Sequence, residues 1–292
     1  MSSAPSSIPP PAFGVAPERP DGVERPPAPE RPRWKPWTAW VALMAGLAGA
    51  LMGALLIGVV AALAGASINN PTPAVNITAT LVQDICLVGA AVLFASLAGP
   101  SSPRQFGLRR TRFWPALGWM LLAFVAFYFV TVVFVAIVGA SPDDQKLTRD
   151  LGVDRGPVAL LAVAFLVSVV APVAEEFFFR GFFFSALRNW KGMWPAAVIT
   201  GLVFGGIHVG SAEAAFLLPL AFFGFVLCLV YARTRSLYPC MALHCANNSL
   251  AFGVSQHWDW QIPVLFAGSI TVIGLVALVV RAAWSPAPAT AG

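Results

Sequence analysis

Residues 174–180 read Ala174-Glu175-Glu176-Phe177-Phe178-Phe179-Arg180, two carboxylates and a guanidinium inside an apolar run from Pro157 to Leu187. Charges in such a run are costly and call for partners. On a helix Glu176 and Arg180 are four residues apart and share a face, whereas Glu175 is turned about 100° away, level with Phe179. The spacing predicts a Glu176–Arg180 pair and leaves Glu175 without a local partner. An unpaired acid in a membrane interior faces a cavity, a substrate or another polar group, so Glu175 is a candidate site residue.

The rest of the chain repeats the apolar pattern. Of 292 residues, 58% are hydrophobic and 11% charged, with mean hydropathy +0.76, which lies outside the soluble globular class. Crossing roughly 30 Å of hydrocarbon takes about 20 apolar residues. Eight windows approach that length: Trp37–Ala64, Val75–Ala98, Trp114–Val138, Val158–Leu187, Trp194–His208, Ala214–Ala232, Leu237–Val254 and Ile262–Val280, the fifth being short. The predicted fold is all-α, a polytopic membrane helix bundle of about eight transmembrane helices with its active site inside the bundle. It divides into a disordered Pro-rich cytoplasmic tail (1–36, with eleven prolines), a transmembrane domain (37–284) and a short cytoplasmic tail (285–292). The first apolar run is too long and begins too late for a cleavable signal peptide.

Basic residues set the orientation, because positive loops stay cytoplasmic. Fifteen of the 18 Lys and Arg residues fall on one side of this topology, and only Lys146, Arg149 and Arg155 on the other. Both termini are therefore expected in the cytoplasm, in what reads as a bacterial cytoplasmic membrane. The charge of +5 is spread over five juxtamembrane sites, which argues against nucleic acid as a partner and for the lipid bilayer. Ser101–Phe113, with Phe106, Leu108 and Phe113 among four arginines, reads as an interfacial segment on anionic headgroups. Cys86, Cys228, Cys240 and Cys245 lie in apolar segments without CxxC spacing, which indicates neither disulfides nor a thiolate metal site. Gly49 and Gly53 have GxxxG spacing, which suits a homodimer or, the favoured reading, packing within one chain. Asp84, in the second window, fits either a proton relay or, preferably, a satisfied interhelical hydrogen bond.

Two hairpins bring further polar groups toward Glu175. The fourth segment turns at Asn189–Met193, and Glu175 precedes the midpoint of that turn by as many residues as His208 follows it. At about 1.5 Å per residue the two are expected at one depth. A second turn near Thr234 and Arg235 brings in His244 and Asn248, four residues apart on one face and at a similar depth. A carboxylate, two imidazoles, a carboxamide and a buried arginine suit amide hydrolysis by an activated water. Glu175 would be the base, with His208 holding the water or helping to deprotonate it. His244 and Asn248 would donate to the oxyanion, and Arg180 would hold Glu176. No serine has a base at a deduced depth, and HExxH is absent.

Taken in order, Glu175-Glu176-x-x-x-Arg180, Phe204-x-x-x-His208 and His244-x-x-x-Asn248 resemble the three motifs of the CPBP family of intramembrane proteases. That family includes type II CAAX prenyl endopeptidases and bacterial abortive-infection-type proteins. The resemblance covers roughly Arg104 to Val254. It implies an intramembrane endopeptidase acting on a membrane-associated or prenylated-type protein or peptide. Glu175 would be its water-activating acid, His208 the partner, His244 and Asn248 oxyanion or ligand residues, and Glu176, Arg180 and Phe204 support. It leaves the metal open: Glu175, His208 and His244 could ligate Zn²⁺ or another divalent metal with a free fourth position, or a metal-free glutamate mechanism could operate. Two other classes compete. A non-catalytic bacteriocin-immunity or scaffold protein would use the same cavity for binding, and a proton-coupled transporter would show internal repeats, of which the sequence has none.

The topology has a direct check. A reporter fused after Trp284 is expected to read as cytoplasmic, and a periplasmic readout would mean that the helix count is wrong.

Overall fold

The computed structural model describes residues 32, 34–67, 69–139 and 149–283, leaving out the side chains of residues 281 and 283. The expected tail over 1–31, residues 140–148 of the polar loop after the third window, and residues 284–292 lie outside the described residues. The eight apolar windows all become helices: α1 (Pro36–Leu63), α2 (Pro73–Ser96), α4 (Phe113–Val138), α5 (Pro157–Lys191), α6 (Met193–Gly206), α7 (Ala214–Thr234), α8 (Leu237–Ser255) and α9 (Gln261–Ala283). A single turn, α3 (Pro103–Phe106), precedes α4. Among the described residues there is no named strand, and the only β-type pairing is an isolated bridge between Val209 and Ala212.

Six of these helices, α1, α2, α4, α5, α7 and α9, are long and apolar enough to cross a membrane. The other two account for the difference from eight. α6 has 14 residues, too few to span at the helical rise, and α8 carries the polar run His244 to Ser249. This is an integral membrane protein whose two least span-like helices both contribute to the expected site.

Helix ends follow local chemistry. Pro36, Pro73, Pro103 and Pro157 stand at first helical positions, where a missing N–H costs nothing. Ser102 and Gln105 close a capping box on α3. The Ser236 hydroxyl accepts from the Tyr238 N–H at the start of α8.

α5 lies at the centre. Phe178, Phe179, Arg180, Phe182, Phe183 and Phe184 are fully buried, as expected for a helix apolar on every side. Two stretches of α5, Leu166–Val170 and Phe177–Phe184, are π-helical, closing hydrogen bonds one residue further along than an α-helix. More residues per turn means less rise per residue. The depth count from Glu175 to the following hairpin, which assumed a uniform α-helix, therefore does not hold across 177–184.

Small residues decide how closely the other helices approach. A Cβ on Gly201 would lie 2.6 Å from the Ala221 carbonyl oxygen, one on Gly205 2.5 Å from that of Leu217, and one on Gly224 2.8 Å from the Phe204 Cβ. α6 and α7 thus meet nearly backbone to backbone. Gly49 and Gly53 face Cys86 and Val82 of α2, so that GxxxG pair packs within the chain.

The basic segment before α4 packs part of its apolar face into the bundle, with Arg104, Arg110 and Arg112 exposed. Phe106 is buried, stacked on Phe177 with centroids 4.5 Å apart, and Trp34, expected in the tail, packs against it at 4.8 Å. The backbone is stitched to the α7–α8 turn: Leu237 N–H donates to the Gly107 carbonyl at 2.9 Å, and the Ser236 hydroxyl to that of Arg109 at 2.6 Å. Burial, ahead of the neighbouring Arg235 and Arg104 charges, lowers the Arg109 guanidinium from its ordinary range, although Tyr231 opposes the shift. Phe113 alone of the three apolar side chains stays exposed.

Gly201→Ala must push α6 from α7 because the obstructing atoms are backbone. A loss of about 1–3 kcal/mol is expected in detergent unfolding. Gly118→Ala, whose Cβ would meet nothing within 4 Å, serves as the control. Equal stability of the two variants would contradict the close crossing.

Candidate functional site

The predicted Glu176–Arg180 pair forms, with Arg180 Nη1 2.8 Å from Glu176 Oε1 and both side chains fully buried. Arg180 is thus no loop charge, and its place among the orientation-setting residues lapses. Its other nitrogen, Nη2, donates to the Gly224 carbonyl of α7 at 3.1 Å, and its guanidinium lies over the Phe204 ring of α6 at 4.6 Å. One cation therefore ties three helices together.

Glu176 Oε1 has a second partner that spacing did not reveal. His244 Nδ1 lies 2.8 Å away. An oxygen already paired with arginine is an ionised acceptor, so Nδ1 carries the hydrogen and donates. In the neutral ring, Nε2 then presents its lone pair. Nε2 lies 3.9 Å from Glu175 Oε2, an oxygen that is buried and without a hydrogen-bond partner. Two acceptors across such a gap leave room for one proton, or for a hydroxyl hydrogen to enter between them.

His208 stands apart from this pair. It lies in the turn beyond the end of α6, not within a helix as the fifth window implied. Its Nδ1 faces the Phe204 carbonyl at 2.7 Å. A carbonyl can only accept, so Nδ1 donates and Nε2 is left as the basic nitrogen. No hydrogen bond or ion pair joins His208 to Glu175 among the described residues. The link is aromatic: the Phe204 ring is 5.0 Å from His208 and 5.8 Å from His244. The imidazole against Glu175 is therefore that of His244.

Asn248 donates from Nδ2 to the Val167 carbonyl of α5 at 2.9 Å and accepts from Asn247 Nδ2 at 3.1 Å. Asn247 accepts in turn from the Tyr128 hydroxyl of α4 at 3.0 Å. Sequence reading had singled out neither Tyr128 nor Asn247. Adjacency to Asn248 was the one available clue for Asn247, and nothing local marked Tyr128.

Asp84 is buried with neither carboxylate oxygen hydrogen-bonded, so the expected interhelical hydrogen bond is not made. Its electrostatic neighbour is Glu175. Among the described residues no group of three or more His, Cys, Asp or Glu side chains is arranged to hold a metal ion. Glu175, His208 and His244 are not grouped as a ligand set, although the Nδ1 bond to Glu176 leaves His244 Nε2 free and is of the kind that orients a metal-binding histidine.

Residues 157–250 match the family model described as type II CAAX prenyl endopeptidase Rce1-like. The matched stretch is about a third of the chain. It runs from the first residue of α5 into α8 and contains every expected site residue. The UPF0177 protein YxdF of Lactococcus lactis subsp. lactis (strain IL1403) is 25% identical over 147 residues, half of this chain and 77% of that protein. The "Putative membrane peptidase YdiL" of Bacillus subtilis (strain 168) is 32% identical over 82 residues, 28% of this chain and 32% of that protein. No solved structure matches the chain. At the level of the family, these similarities support a membrane protease.

Glu176→Gln removes the only anion paired with a fully buried guanidinium. The expected loss is about 3–5 kcal/mol of stability in detergent, because the remaining charge is uncompensated. Glu175→Gln touches no such pair and should unfold like the wild type. Parallel loss of folded protein in both variants would refute the division of labour between the two glutamates.

Proposed function

We propose that the protein is an intramembrane endopeptidase of a bacterial cytoplasmic membrane, with both termini cytoplasmic, in which Glu175 activates water against a peptide bond. The observation that carries this reading is the unpartnered Glu175 oxygen facing the free ring nitrogen of His244 across 3.9 Å. A base must reach the proton it abstracts, and a water lying beside this gap, within hydrogen-bond reach of both atoms, can give one hydrogen to each in turn.

The reaction then balances as hydrolysis. The water oxygen bonds to the carbonyl carbon of the scissile amide while its proton passes to Glu175. Oxygen becomes negatively charged in the tetrahedral intermediate, and a free hydrogen on Asn248 Nδ2 is available to it. When the C–N bond breaks, the leaving nitrogen takes the proton from Glu175, giving an amine and a carboxylic acid, whose own proton then passes to the amine or to bulk water. Glu176, fixed between Arg180 and His244, holds the imidazole in the tautomer that presents Nε2. His208, likewise restricted to one tautomer by the Phe204 carbonyl, offers a second basic nitrogen beside the Phe204 ring.

The substrate class that fits is a membrane protein or a peptide held at the bilayer, since the site lies within an apolar bundle. A prenylated-type C-terminal segment is one member of that class, in keeping with the Rce1-like match.

Purified protein in lipid nanodiscs, incubated with a transmembrane-peptide library, is expected to cleave a subset of peptides. Glu175→Ala should lower the rate by at least about 10²-fold, the scale of a missing general base. Dialysis against a chelator should leave the rate unchanged under this scheme. Activity that tracks bound metal, or survives in Glu175→Ala, would overturn it.

A further inference from the structure

Four polar groups from α4, α8 and α5 form a directed chain: Tyr128 Oη to Asn247 Oδ1 at 3.0 Å, Asn247 Nδ2 to Asn248 Oδ1 at 3.1 Å, and Asn248 Nδ2 to the Val167 carbonyl at 2.9 Å. Hydroxyls and carboxamides can each serve from either end, so such a chain can in principle run both ways. Its last member cannot. A backbone carbonyl only accepts, which fixes Asn248 with Nδ2 toward α5, then Asn247 with Nδ2 toward Asn248, then Tyr128 as donor. Reversal would set Asn248 Oδ1 against the Val167 oxygen.

The Val167 carbonyl is available for a reason found in the sequence. Leu166–Val170 is π-helical, and the Ala171 N–H bonds the Leu166 carbonyl, five residues back. In that register the next residue, 172, would bond Val167. Residue 172 is proline and has no N–H. A half-buried carbonyl left without its helical partner takes another where one is within reach, and Asn248 supplies it.

We infer that Tyr128 and Asn247 are positioning residues for the Asn248 carboxamide, and that the Val167 carbonyl, left free by Pro172, fixes which way that carboxamide points. One Nδ2 hydrogen is spent on α5, and the chain holds the other in a set direction, one helical turn from His244 on the same face. The inference deepens the proposed endopeptidase reading and rests on it for the use made of that second hydrogen.

Two readouts test it. In protein labelled with ¹⁵N-asparagine, the Asn248 side-chain signal is identified by its absence in Asn248→Ala. Solvent exchange of that amide is expected to quicken by about tenfold in Tyr128→Phe and in Pro172→Ala, the effect of one lost hydrogen bond. Tyr128→Phe keeps the ring and its contacts with Phe124 and Phe127, so it should fold even if Pro172→Ala does not. With the library peptide that the wild type cleaves fastest, Tyr128→Phe should lower kcat roughly 10- to 100-fold with KM near its wild-type value. The Tyr128→Phe/Asn248→Ala double variant should be no slower than Asn248→Ala alone, because Tyr128 acts through Asn248. Unchanged exchange in Tyr128→Phe, or losses that multiply in the double variant, would overturn the positioning role. Failure of the endopeptidase reading is a separate result, in which Glu175→Ala cleaves as fast as the wild type.

Discussion

Everything in the centre of this molecule depends on one oxygen. Glu176 Oε1 accepts from Arg180 Nη1 and from His244 Nδ1, both at 2.8 Å, in surroundings without solvent. A buried guanidinium is tolerated only when its charge is met and its donors are placed. Here the carboxylate meets the charge, the Gly224 carbonyl takes a second donor, and the Phe204 face lies against the cation. The same arrangement joins α5 to α6, α7 and α8. The residues that hold the bundle together therefore also fix the histidine that faces Glu175.

Backbone proximity makes this network possible. Arg180 reaches the Gly224 carbonyl only because α7 lies close, and α7 lies close to α6 because Gly201, Gly205 and Gly224 carry no side chain. Any Cβ at Gly224 would meet both the Phe204 Cβ and the Gly201 Cα, pushing the aromatic ring that touches Arg180, His208 and His244. Without a hydrophobic driving force between helices in lipid, close packing and interhelical hydrogen bonds must supply the association. In this bundle the two act at the same place.

The legible and illegible parts of the sequence divide along the range of the interactions. The eight apolar windows and the Glu176–Arg180 pair could be read because each depends on residues within one helix, where period and spacing are fixed. The His244 contact with Glu176 spans 68 positions, and its choice over His208 turned on geometry that a uniform helical rise could not reproduce. Two π-helical stretches in α5 shift the register there, and nothing in Leu166–Val170 or Phe177–Phe184 announces them by composition. The packing of the basic segment was illegible for a related reason. Arginines with interleaved aromatics suit a headgroup layer, but Phe106 found Phe177 and Trp34 instead, and Gly181 leaves the space for the Phe106 backbone, whose carbonyl would lie 3.0 Å from an added Cβ.

The irregular stretches of α5 bear directly on the site. In a regular α-helix each interior carbonyl already accepts one bond within the helix, and a neighbour can use only its second lone pair, as Arg180 does at Gly224 of α7. α5 gives up that regularity on both sides of the two glutamates: Pro172 leaves the Val167 carbonyl for Asn248, and the Arg180 carbonyl accepts from the Ser185 hydroxyl at 3.0 Å. Glu175 and Glu176 sit on the short α-helical piece between these stretches. That piece keeps the two carboxylates on different faces, one toward the buried cation and one toward the open side of His244. A charge meant for structure and a charge meant for chemistry can then occupy adjacent positions without competing for the same partner.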